Sequence, residues 1–189
     1  MRIFKIVVFA LLAINVVVFL RRASLHEALD QLGWVILLSA FLYETSALDK
    51  DYASPLEQYG LYAALATGYG LAIYACYSYW AAGDGLGCVN SLTWLAVCAV
   101  LAYDVYAPGE YGGAEWRARN GIKAALYAAL VVYAAIWAWK GFASEGGVAG
   151  FLDFYDAALW IVCFAVIELN VFDFETKDTA KPASAEASS

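Results

Sequence analysis

The chain has one histidine, one methionine, three prolines and four cysteines among 189 residues, and these shortages exclude several chemistries. With His26 alone there is no imidazole pair for bis-histidine haem and no two-histidine metalloprotease motif of the H-E-x-x-H kind. No lysine stands mid-run in an apolar segment to carry a Schiff base. Walker-type loops, regular arginine ladders for voltage sensing, and a Ser–His pair for nucleophilic catalysis are missing as well. An enzyme is therefore not expected, and neither is a cofactor. Charge is scarce too, at 15% of residues where a soluble domain carries about a quarter. The 18 acids and 11 bases fall almost wholly in connections and tails, without a basic patch, so no nucleic-acid partner is expected.

The four cysteines do not read as a disulfide framework. Cys76, Cys98 and Cys163 fall inside apolar runs, where a thiol behaves as a small hydrophobe, and Cys88 alone lies near a membrane surface. No disulfide is expected.

What the chain has instead is apolar length, with 63% hydrophobic residues. A bilayer-spanning helix needs about 20 predominantly apolar residues. Six segments meet or approach that length, at 3–20, 28–48, 59–82, 89–107, 121–140 and 151–172. The expected fold is all-α, a polytopic membrane bundle of six transmembrane helices in a cytoplasmic membrane of bacterial type. The lipid bilayer is then its first partner. The opening run from Met1 to Leu20 resembles a signal peptide, but Arg21-Arg22 stands where such a peptide needs small residues at its cleavage site. It is read as a retained span.

The punctuation fits hairpins. Ser24-x2-Glu27 is a capping-box pattern that starts the second helix. Gly83-Asp-Gly-Leu-Gly87 and Gly146-Gly-Val-Ala-Gly150 are glycine-rich turns. Beyond Phe174 the Thr, Ala, Ser, Lys and Glu composition predicts a disordered tail over 175–189. Eight of the 11 Lys and Arg residues flank the spans on the side of the termini, which predicts a cytoplasmic N- and C-terminus.

The even-numbered segments repeat one pattern without gaps: Asp or Asn, three residues, Trp, nine residues, then Glu, Asp or Asn. It occurs as Asp30–Trp34–Glu44, Asn90–Trp94–Asp104 and Asp156–Trp160–Asn170. The odd segments share Leu61-Tyr-Ala-Ala-Leu65 with Leu126-Tyr-Ala-Ala-Leu130, and Lys5-x3-Phe9-Ala10 with Lys123-x3-Tyr127-Ala128. Duplication explains both. The expectation is three hairpin repeats, about 1–50, 56–108 and 117–174, with pseudo-threefold symmetry.

In each repeat the two polar ends are 14 residues apart, nearly four turns or about 21 Å of helix, so they project from one face. On one reading, three such faces meet at an axis and Glu44, Asp104, Glu168 and Asn170 form a cytoplasmic polar cluster of a small cation or proton pathway, fed by Asn90, Asp30 and Asp156. On the other, favoured reading, Asp30, Asn90 and Asp156 begin helices, the Trp residues form an aromatic belt, and the distal carboxylates reach water.

Asn15, the one amide near the middle of a span, is expected to bond to a neighbouring helix. The small-residue stripes Ala64-x3-Gly68-x3-Ala72 and Gly121-x3-Ala125-x3-Ala129 read as packing surfaces, within the chain or against another subunit. His26, Glu27 and Asp30 share a helical edge, but a lone surface histidine beside a capping glutamate is ordinarily solvated, so no metal site is expected. The Tyr and Trp residues of spans three and five are read as packing and interface anchors rather than a quinone or pigment pocket. The function expected first is a non-catalytic accessory or assembly subunit of a membrane complex, packed against other subunits or against itself. The alternative is the ion pathway.

Overall fold

A computed structural model describes residues 2–22, 25–46, 54–106, 113–143 and 151–165, and nearly all of them are helical. The helices are α1 (Arg2–Arg22), α2 (Leu25–Ser46), α3 (Pro55–Ala82), α4 (Gly85–Tyr106), α5 (Gly113–Ala143) and α6 (151–165). No strand occurs among the described residues. The expected all-α class holds. Three helices are long and apolar enough to cross a membrane, over Leu25–Tyr43, Gly85–Asp104 and Gly113–Ala143. The apolar part of α1, Ala10–Arg21, is shorter. α3 has the length at 28 residues, but six tyrosines and three glycines dilute its hydropathy.

Helix ends follow capping chemistry rather than the edge of the apolar run. α3 begins four residues before the apolar segment does, because Ser54 accepts the Glu57 backbone N–H at 3.3 Å and Pro55 supplies a first-turn φ. It ends where Gly83 turns left-handed at φ 76°, donating its N–H to Trp80 and letting Asp84 N–H bond the Tyr79 carbonyl at 2.9 Å. The link to α4 is thus only Gly83-Asp84. Asp84 then accepts the Gly87 N–H at 3.0 Å, so the later glycines of the expected turn lie in the first turn of α4. α5 starts eight residues before its apolar segment, which draws Arg117 and Arg119 into helix.

The chain forms two compact units, 1–133 and 134–189, with the boundary inside α5. In the first unit α3 packs antiparallel against both α2 and α4, and α1 packs on α2. The α2–α3 crossing is close because it is built on glycine. A Cβ at Gly68 would sit 2.6 Å from Leu37 Cγ, and one at Gly33 would sit 2.9 Å from Leu71 Cβ. Lipid offers apolar groups as good a solvent as another helix does, so such backbone proximity is what holds helices together. Gly68, Ala72 and Ala75 are all buried, which places the first small-residue stripe in this interface. The second behaves differently: Gly121 and Ala125 are exposed, and nothing lies within 4 Å of a Cβ at Gly121.

Leu12, Asn15 and Phe19 form the buried face of α1, while Trp94 and Val97 form that of α4. In the second unit Phe142 meets Phe151 edge-on at 6.2 Å, and the buried Trp160 lies 6.1 Å from Phe164. Large apolar side chains cover the outside, among them Ile14, Ile73, Tyr77, Trp80 and Trp139, the last at 74% exposure. Water would penalise such a surface; hydrocarbon solvates it.

Candidate functional site

Two polar centres stand at opposite ends of the first unit. The first is built around Asp30, whose side chain is buried one turn beyond the start of α2. Its Oδ1 accepts the Trp34 indole N–H at 2.8 Å from the next turn of the same helix. Its Oδ2 accepts the Tyr79 hydroxyl at 3.0 Å from α3. The antiparallel crossing sets this pairing: with Gly33 against Ala72 and Leu37 against Gly68, the chain direction brings Tyr79 level with Asp30. His26, one turn earlier, stands edge-on to the Tyr79 ring at 5.5 Å. Among the described residues no cation pairs with Asp30, so two neutral donors meet its acceptor needs.

The neighbouring residue works in the other direction. Gln31, also buried, accepts from the Asn15 amide of α1 at 3.4 Å. Consecutive polar residues of α2 thereby tie α1 and α3 to the same turn.

The second centre is Asp104, near the far end of α4. Arg119 reaches its Oδ1 at 2.8 Å and Lys123 its Oδ2 at 2.9 Å, and all three side chains are nearly enclosed. Arg119 and Lys123 are four residues apart on α5 and so share a face. Beside them Tyr103 donates to Glu115 at 2.9 Å, and the Arg119 guanidinium lies 5.7 Å from the Tyr103 ring centre. The sequence placed Arg119 in a connection and Lys123 at the edge of a span, so neither was linked to Asp104. The extended start of α5 brings Arg119 in, one turn before Lys123.

Asn90 and Asp156 are half-buried. Their partner tryptophans are buried like Trp34, with Trp34, Trp94 and Trp160 at 5%, 5% and 4% exposure. The rings of Trp34 and Trp94 bridge α2 and α4 with centres 6.2 Å apart. The Trp34–Asp30 bond gives the Asp/Asn-x3-Trp spacing a physical meaning: an acceptor one turn before the indole satisfies its N–H without water. Ser24, Glu168, Asn170, the expected 175–189 tail and the side chain of Glu44 lie outside the described residues. Among the described residues no group of three His, Cys, Asp or Glu side chains converges as a metal site.

Two side chains missed from the sequence stand together beside the α3–α4 turn. Cys76 and Cys88 bring their sulfurs to 3.9 Å and line an apolar groove of about 380 Å³ with Ile73, Tyr77, Trp80, Leu92 and Leu95. The sequence put the two thiols in separate segments. Only the two-residue turn puts them opposite one another.

Comparison with known proteins finds no match, whether to a protein family, a curated protein or a solved structure.

Proposed function

We propose that the chain is a non-catalytic assembly subunit of a membrane complex, in which the buried polar groups fix helix register rather than carry ions. The observation that carries this is the fate of Asp104. A conducting carboxylate has to exchange its cation with the pathway, yet Asp104 has each oxygen committed to a cation of its own chain. Closed pairs of this kind hold α4 to α5. They leave neither Asp104 oxygen open to a passing cation.

The proposal includes six spans in three repeats, with both termini on the cytoplasmic side of a bacterial-type membrane. The shared Asp/Asn-x3-Trp spacing at Asp30, Asn90 and Asp156 supports the triplication, as does the burial of the tryptophan one turn after each. The bias of Lys and Arg supports the orientation. The exposed Gly121 and Ala125 on α5 are the surface on which a partner helix approaches most closely. Purification of the full chain in mild detergent followed by native mass spectrometry tests this: a stable heteromeric or homomeric complex is expected, and Gly121→Leu dissociates it. A strictly monomeric chain contradicts the proposal.

One observation favours a second reading. Asp30 is buried beside His26 with no cation among the described residues, an arrangement suited to binding a proton or small cation within the bilayer. Under that reading Asp30→Asn abolishes cation flux in proteoliposomes while the bundle stays assembled.

A further inference from the structure

Cys76 and Cys88 flank the Gly83-Asp84 turn on facing sides of α3 and α4, with their sulfurs 3.9 Å apart. The Cys76 sulfur is also 3.9 Å from the Cys88 carbonyl oxygen, so it points at the other helix rather than away from it. Both are free and half-buried. A disulfide holds its sulfurs at about 2.05 Å, so the remaining gap is about 1.9 Å, within the reach of side-chain rotation at two positions. The other two cysteines have no such neighbour: Cys163 is buried in the second unit, and Cys98 stands ten residues further along α4 than Cys88.

Access distinguishes this pair from a merely close contact. Both cysteines line the groove between α3 and α4, whose other walls are Ile73, Tyr77, Trp80, Leu92 and Leu95. The groove belongs to the end of the hairpin next to the turn, where the chain leaves the apolar layer. A reagent arriving from the membrane surface meets Cys88 first, because it lies in the first turn of α4, whereas Cys76 lies nearly two turns inside the end of α3.

We propose that Cys76 and Cys88 form a redox site that exchanges with an organic disulfide and closes a bond across the α3–α4 hairpin. The Cys88 thiolate attacks one sulfur of the incoming R–S–S–R, forming a mixed disulfide and releasing one RS⁻. The Cys76 thiolate then attacks the Cys88 sulfur of that mixed disulfide, forming the Cys76–Cys88 bond and releasing the second RS⁻. The two protein thiols give up two protons and two electrons, and these leave as two molecules of RSH. The bond staples α3 to α4 beside Tyr79, the donor to Asp30. This inference uses no side chain of the two polar centres and stands whether or not the chain assembles with a partner.

The test is oxidation of the full-length reduced protein in mild detergent with oxidised glutathione at mildly alkaline pH, read by thiol titration, intact mass and chymotryptic mapping. Titratable thiols are expected to fall from four to two, the mass to drop by two hydrogens, and the map to join Cys76 to Cys88, all reversed by dithiothreitol. Cys76→Ser is expected to stop at a glutathione adduct on Cys88. Cys98→Ser combined with Cys163→Ser is expected to oxidise as wild type does. Wild-type protein that accumulates only glutathione adducts, joins other cysteines, or keeps all four thiols overturns the proposal, and this arm needs no variant to fold.

Discussion

Trp34 on α2 and Trp94 on α4 hold their rings 6.2 Å apart at a tilt of 55°, joining the two helices that each pack on α3. Trp34 has a second duty, because its N–H is one of two donors to the buried Asp30. Trp34→Phe keeps an apolar ring and removes that donor. Leaving a buried acceptor short of a partner costs about 1–3 kcal/mol, and that loss is the expected drop in unfolding free energy in mixed micelles. Combined with Asp30→Ala, which removes the acceptor itself, the costs should fall short of additive, since each substitution breaks the same bond.

The Asp104 cluster predicts an asymmetry. Asp104→Asn leaves two enclosed cations without their counter-charge and should destabilise the chain by roughly 3–5 kcal/mol, the range for breaking a buried pair from one side. Lys123→Met should cost less, because Arg119 still neutralises the carboxylate. Thermal unfolding of the two variants in detergent checks the order, and equal losses would count against a shared cluster.

Two glycines of one helix should respond in opposite directions. Gly68→Ala pushes a methyl into Leu37 and is expected to cost about 1–3 kcal/mol. Gly70→Ala meets nothing within 4 Å and should stabilise by about 0.5–1 kcal/mol through backbone entropy alone. Paired melting curves separate the two, and a cost at Gly70 would place an additional surface against α3.

The helices were legible because apolar length and glycine punctuation are local signals. Their starts were not: Ser54 and Pro55 carry α3 past its apolar run, and the polar first turns of α5 read as a loop. The Asp/Asn-x3-Trp pattern was visible, but its meaning was hidden, since a helix start and an indole acceptor one turn away look alike in sequence. The bond from Trp34 to Asp30 decides that case, five residues inside α2. Contacts between helices were the least legible. Tyr79 with Asp30, Arg119 with Asp104, and Cys76 with Cys88 each depend on which residues of two helices stand level, and for the cysteines on a turn of two residues where the sequence read five.

Cation flux measured in proteoliposomes containing the purified full chain is the most direct test that its buried charges hold structure rather than conduct. The expected result is a potential-driven proton and potassium leak no greater than that of protein-free vesicles, unchanged by Asp30→Asn. A leak that appears with the wild-type chain and disappears with Asp30→Asn would contradict the account.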